Sequence, residues 1–443
     1  MKSVRLSILI VFFGAPALTA SDHLFWGGDH VRRGDVGNAG AYVTMWPNAA
    51  GPVAVDTVHG RVYWGDTGVP GKIWYAPSSG GTPVHLLTTV GNERIDDLEI
   101  DPGAQMIYWD DRANLHIYRS NVNVPSVSAL PIPTATIGTL RDVALDLRPS
   151  QQKLYWLKGT RIGRANLNGT SPQMLANALP GAAYFGFALD TCADRIYVVG
   201  FEGAGPQYGA ITAVDLADAG NATTVLQDPA SGNPGPIGYD PRKIAIDTYH
   251  QKLYWTAAAD GTTPFATIRS ANVDGTNPQI EAQAAVGATW SHELALELAN
   301  QGCAPKGMTW AFAGVNAPTG TVRVACSNCN PTTGDTPCST PLPLLCIRKS
   351  GNGFPLPKPM GVNNSNQNSL WSGGVIGTTA PVVPPPTLVA ANALCVQQFG
   401  TDWRVAEFHD GWGWGFQAYG GVGNQALRFW VDINDQSNGK CWN

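Results

Sequence analysis

"QKLYWTAAADG", residues 251–261, comes just after the apolar run "KIAID" ending at Asp247, and it places Leu253, Tyr254 and Trp255 together. An acid, a short polar turn and an apolar aromatic run suit a strand, a tight turn and an antiparallel return strand. The stretch recurs. "HLFWGGD" carries Trp26, "RVYWGD" Trp64, "MIYWDD" Trp109 and "KLYWLK" Trp156, while "RIYVVG" has Val198 in the tryptophan place. With Trp255 the copies number six, at a mean spacing of about 46 residues, in the range of propeller blades and other repeat units.

A second motif keeps step with the first. "VAVD" ends at Asp56, "LEID" at Asp101, "VALD" at Asp146, "FALD" at Asp190 and "IAID" at Asp247, and "LALE" ends at Glu297. A third strand is visible in "KIWYA", "HIYRS", "RIGRAN" and "TIRSAN", and it runs into turns such as "LNGTSP" and "VDGTNP". A fourth, outer strand, as in "PVHLL" and "TTVL", completes a four-stranded antiparallel unit. The series begins with a second strand (Leu24–Trp26) and ends with an inner one (Leu294–Leu298), so complete pairing requires the last strand to join the first unit. Such closure removes the exposed edges that a linear array would leave. The predicted fold is all-β: a six-bladed β-propeller over residues 21–302, closed by its C-terminal inner strand, with a small disulfide-rich module after it.

The "LYWT" signature, the "ALD" inner strand and the third-strand pattern resemble the YWTD repeats of the LDL-receptor class B propellers over roughly residues 22–302. Two departures are Val198 and the Thr256–Ala257 pair after Trp255. The resemblance implies a binding surface for protein partners rather than a catalytic site; it supplies no ligand, because one fold hosts many functions. Trp26, Trp64, Trp109, Trp156 and Trp255 are read as wedges between blades. Asp56, Asp101, Asp146, Asp190 and Asp247 are read as caps of the turns that follow them.

Lys2 and Arg5, the apolar run Leu6–Phe13 and "ALTA" before Ser21 read as an export signal over residues 1–20. Its apolar core is too short to span a bilayer, and no transmembrane segment is expected further on. The net charge of −5 becomes −7 without Lys2 and Arg5, which argues against a nucleic-acid binder. A monomer that is secreted, periplasmic or held at the cell surface is expected. Export favours disulfides among the eight cysteines.

Ligand-binding candidates lie on the face shared by the second-to-third-strand loops and the blade-to-blade connections. Long loops there carry Glu202, Tyr208, Tyr239, Asp240, Asp260 and Phe265, an aromatic and acidic set. At the channel mouth, just before the inner strands, stand Asp96, Asp97, Arg141, Asp142, Arg242, Lys243, His292 and Glu293. Glu99 occupies a position that is Ala54, Ala144, Ala188, Ala245 or Ala295 in the other blades; a carboxylate there needs a partner such as Arg141, an ion or water. Asp97 and Glu99 are the metal candidates. No cofactor is required, and calcium is possible. "RGD" at Arg33–Asp35 falls in the third strand of blade 1, and Asn168 and Asn221 begin glycosylation sequons.

After Gln301 the sequence divides into a Cys- and Pro-rich segment, 303–390, and a Trp-rich module, 391–443, closed by a Cys395–Cys441 disulfide. The pairing of Cys303, Cys326, Cys329, Cys338 and Cys346 is open, and "CSNC" also admits zinc. "TTAPVVPPPT", residues 378–387, reads as a stiff linker or as an ordered loop of a larger module. The stretch from about Cys326 resembles a C-terminal module of exported bacterial proteins. The final "WVDINDQSNGKCW" is similar to the end of C-type lectin-like domains, which would make Asp432, Asn434 and Asp435 calcium or sugar candidates. Glu407, His409 and Asp410 invite a metal reading, and Trp412 and Trp414 a sugar platform.

The expected function is non-enzymatic binding or adhesion, with a propeller face docking a protein or carbohydrate ligand. The alternatives are a calcium-dependent, lactonase-like propeller hydrolase and carbohydrate binding by the C-terminal module.

Overall fold

Each Trp-bearing strand pairs on one side with the acid-terminated strand and on the other with the third strand, so the repeats become four-stranded sheets. The computed structural model describes residues 22–442 except 29, 37–41, 48–50, 67, 138–139, 182, 203–207, 230–234, 239, 259–265, 284–289, 299–301, 304, 361, 363–369, 412–413, 426 and 437–438. The expected export signal, Tyr239, Asp260, Phe265 and Trp412 therefore lie outside the described residues. The chain divides into two units, Met1–Gly302 and Cys303–Asn443.

The first unit is a six-bladed β-propeller, with six four-stranded antiparallel sheets. Blade 1 is formed by His23–Gly28, His30–Asp35 and Tyr42–Pro47 together with the inner strand Trp290–Glu297 from the far end of the unit. The register His23↔Glu297, Leu24↔Leu296 and Trp26↔Leu294 closes the ring.

The packing shows why the motif recurs. Trp26, Trp109, Trp156 and Trp255 are fully buried and Trp64 nearly so. Each packs on the preceding blade: Trp156 clusters with Tyr108, Ile117 and Leu130, and Trp255 with Ala188, Tyr197 and Val199. Burying rings of this size is a large part of what holds neighbouring blades together. Opposite each tryptophan on the inner strand stands a smaller residue, as in Val53↔Trp64, Val143↔Trp156 and Ile244↔Trp255. Blade 5 inverts the pair, with Phe187 opposite Val198. Phe187 and Val198 share one buried cluster, so the inner strand supplies the aromatic volume that the second strand lacks.

The acids ending the inner strands bond the turns after them. Asp247 accepts from the N–H groups of Tyr249 and His250, Asp190 from those of Cys192 and Ala193, and Asp56 from that of His59.

The second unit is built on a seven-stranded sheet whose strands include Thr309–Asn316, Thr321–Ala325, Leu345–Arg348, Leu370–Thr378 and Gly415–Gly420. The sheet draws strands from both sides of residue 390, so the expected division there does not separate two bodies. The Cys395–Cys441 pairing is also corrected. Cys346 bonds Cys395, Cys338 bonds Cys441 and Cys326 bonds Cys329. No cysteine is free, so the "CSNC" sulfurs are oxidised together rather than offered to zinc. Helix Leu388–Phe399, capped by Thr387, places Cys395 against the strand that carries Cys346. The Pro-rich run is an ordered part of this unit: Val382 pairs with Leu342, and the Thr379 N–H reaches the Leu344 carbonyl.

Candidate functional site: the propeller channel and its mouth

The site follows from one register position. Counting four residues back from the acid that ends each inner strand gives Glu293, Pro52, Asp97, Asp142, Gly186 and Lys243 in blades 1 to 6. In a six-membered ring, blade 6 faces blade 3. The Lys243 ammonium crosses the channel to Asp97 Oδ1 and Oδ2 (2.9 and 3.0 Å) and to Asp142 Oδ1 (2.6 Å), with Glu99 Oε1 at 3.8 Å. All three of the closely bonded residues are buried. Gly186 is glycine because a β carbon there would lie 2.2 Å from the Arg242 carbonyl oxygen. Blade 6 can therefore approach closely enough to project Lys243.

The acids are further held by the backbone. Asp97 Oδ2 accepts from the Val143 N–H (2.9 Å) and Asp142 Oδ2 from the Phe187 N–H (2.7 Å), so each carboxylate also ties its strand to the next blade. Burial opposes ionisation of Asp97, but Lys243 and its hydrogen bonds hold the carboxyl well below the usual range. Burial outweighs the same ammonium at Asp142 and pushes that carboxyl up. Two acids sharing one ammonium thus divide the roles. Glu99, the departure from alanine, lines a lower cavity of about 240 Å³ beneath Lys243 with those alanines; burial raises it to about 7. The partner of Glu99 is Lys243 and not Arg141.

Above Lys243 an open cavity of about 200 Å³ is lined by Arg112, Arg141, Phe185, Arg242, Asp96 and Glu293, among others. Arg242 lies 4.3 Å and Arg141 5.6 Å from the Phe185 ring centroid. Arg242 also pairs with Asp240 (2.5 Å), whereas its buried Nε has no hydrogen-bond partner among the described residues. Arg112 pairs with the fully buried Asp110, and burial raises that carboxyl to about 7. Burial likewise raises Glu293 to about 8.

These raised acids set a pH dependence. Glu99, Asp110 and Glu293 keep protons in the native state that an unfolded chain has released, so stability falls as pH rises from about 5 through 8. Thermal melts of the full chain across pH 5–9 check this; a flat profile contradicts it.

The structure brings together only part of the candidate set. Arg141, Arg242, Asp240, Asp97 and Glu99 gather at the channel. Glu202 and Tyr208 pair across strands Arg195–Glu202 and Tyr208–Asp215, which extend the blade 5 hairpin into a stretch expected to be loop. His292 lies within the inner strand of blade 1. The side chains of Glu202, Tyr208 and His292 are not among those described. Arg112, Asp110 and Phe185 were missed. Phe185 stands in register with Arg141 and Arg242, one residue before the Asp142, Gly186 and Lys243 position, and that alignment could have found it.

Other clusters and motifs are absorbed by structure. Asp22, Asp247 and His250 bring ligand-type atoms within 4.8 Å of one another, but the His–Asp pair repeats at His59 and Asp56, as turn bonding does. Within RGD, Arg33 bonds the Ser78 carbonyl and Asp35 pairs with His23 inside the blade. In the second unit Asp410 is held by Arg404 and Lys349, Asp432 by the Trp442 indole, and Glu407 by His409. His409 reaches Asp435 at 3.7 Å, and the Asn434 N–H reaches Glu407.

No family model matches the chain. Protein cueball of Drosophila grimshawi is 24% identical over 224 residues, covering 47% of this chain and 33% of that protein. The chain thus spans about a third of the length of that curated relative. A solved nidogen/laminin complex contains a chain matched over 63% of this one and all of its own length, at 16% identity and a TM-score of 0.50. TolB from Acinetobacter baumannii matches at 12% identity and a TM-score of 0.48, over 64% of this chain and 68% of its own. The nidogen/laminin likeness is one of propeller fold. Among the described residues no helix is long and apolar enough to cross a membrane.

Proposed function

We propose that this chain is an exported, non-enzymatic binding protein that docks a protein or glycan partner on the propeller face bearing the Arg141–Phe185–Arg242 mouth. The observation that carries the reading is the Lys243 crossbar. Calcium takes six to eight oxygens, whereas Asp97 and Asp142 already serve an ammonium and backbone N–H groups. The propeller channel is therefore furnished with a cation of its own, and the face above it is left for recognition. A secreted, periplasmic or cell-surface location accords with the export signal and with oxidised cysteines. A second reading places glycan binding in the C-terminal unit, favoured by Trp414, which is 42% exposed and packs edge-on against Phe408.

The test uses the full chain on arrays of immobilised matrix proteins, laminin included, and of glycans. A panel of lactones and aryl esters with calcium is assayed in parallel. Saturable binding without turnover is expected. Calcium-dependent turnover lost in Glu99→Gln, with no saturable binding, would overturn the reading.

A further inference from the structure

Three cations besides Lys243 line the upper cavity, and two of them are paired with an acid inside the fold: Arg112 with Asp110, and Arg242 with Asp240. Arg141 is different. Among the described residues it has no ion pair and no hydrogen bond, and its guanidinium rests only on the face of Phe185. Arg242 presses on the same ring and keeps a buried Nε without a hydrogen-bond partner among the described residues. Two guanidiniums within 5.6 Å of one ring centroid repel each other, and donors left unmade at a half-buried mouth are costly.

The acids lining the same cavity do not answer them. Asp96 accepts from the Arg112 backbone N–H and pairs with Arg94, and Asp142 is bound to Lys243 and to backbone N–H groups. Burial raises Glu293 to about 8, which favours its neutral form. The two guanidiniums also stand on the blades either side of Phe185: the register position carrying Arg141, Phe185 and Arg242 in blades 4, 5 and 6 carries His292, Gly51 and Asp96 in blades 1, 2 and 3.

We propose that the mouth is a carboxylate receptor, in which Arg141 and Arg242, spread over Phe185, together grip one carboxylate group. Guanidinium forks match carboxylate geometry, and the aromatic face between them accepts the adjoining methylenes. The volume of about 200 Å³ sets the size of the guest; a cavity of about 150 Å³ admits benzene. A small organic acid fits, and so does one acidic side chain or chain terminus of a partner. The inference deepens the docking reading, and rests on it only if the carboxylate comes from a partner protein.

The experiment titrates the full chain at constant ionic strength, by calorimetry, with succinate, with its neutral analogue succinamide, with an internal-aspartate peptide capped at both ends, and with a peptide ending in a free carboxylate. Binding by at least one acid with a Kd below about 1 mM, and none by succinamide, is expected. Arg141→Ala and Arg242→Ala should each weaken it about tenfold or more. Arg141→Ala should melt close to the wild type, since among the described residues the Arg141 side chain has no hydrogen bond or ion pair, only the Phe185 ring contact, and this separates lost recognition from lost structure. Preference for succinate over both peptides identifies a free acid as the guest, and the reverse a partner protein. Failure of all three acids to saturate by about 20 mM, or equal affinity in Arg141→Ala, overturns the proposal. That failure leaves the docking reading to the array, where a partner lacking this contact would still bind.

Discussion

Lys243→Met should lower the unfolding free energy by about 3–5 kcal/mol at pH 8, the range for removing one partner of a buried ion pair. Methionine keeps the length of the stem and removes the ammonium, so Asp97, 1% exposed, and Asp142, likewise 1%, lose the cation between them. Their backbone hydrogen bonds remain and cannot offset the loss of the ammonium beside these buried acids. The deficit should shrink toward pH 5, where protonation neutralises what the lysine no longer answers. Adding Asp142→Asn to the variant should recover part of the loss. Denaturant unfolding of the two variants and the wild type at both pH values is the check; a cost below about 1 kcal/mol at pH 8 would mean that the crossbar is not holding the ring.

Trp156→Ala should cost about 3–5 kcal/mol, from lost burial together with the cavity left behind. The indole is fully buried, its cluster reaches Tyr108, Ile117 and Leu130 in blade 3, and on its own blade it lies over Gly163. A β carbon at Gly163 would sit 2.2 Å from an indole carbon, so the glycine is part of the same packing unit and little can collapse into the hole. Val198→Ala, at the corresponding position of blade 5, should cost less because Phe187 supplies much of the volume there. Equal losses in the two variants would show that the tryptophans are not the wedges between blades.

The fold was legible because its determinants repeat. An acid-ended strand followed at near-constant distance by an aromatic one can be satisfied six times over only by a closed ring, and Leu294 meeting Trp26 is that closure. The departure at Val198 looked like a defect until its cross-strand partner proved to be Phe187.

The site was less legible, because its contacts are not local. Lys243 and Asp97 are 146 residues apart, and only the ring places them across one channel. Glu99 could be flagged as an unusual carboxylate, but its neighbour could not be named from the chain. Arg112 follows a second strand rather than preceding an inner one, so a scan of the inner-strand positions passes over it. The cysteines failed for a related reason. Spacing made Cys395 and Cys441 look like the two ends of one module, whereas the sheet carries Cys346 to Cys395 and leaves Cys441 to Cys338.

The most direct test of the central claim, that the channel is built around its own ammonium rather than around a metal, is the melting temperature of the full chain in excess calcium and in chelator. The two melts should coincide. A native-state site filled at a hundred times its dissociation constant would add about 2.7 kcal/mol, so a calcium-dependent rise that disappears in Glu99→Gln would contradict it.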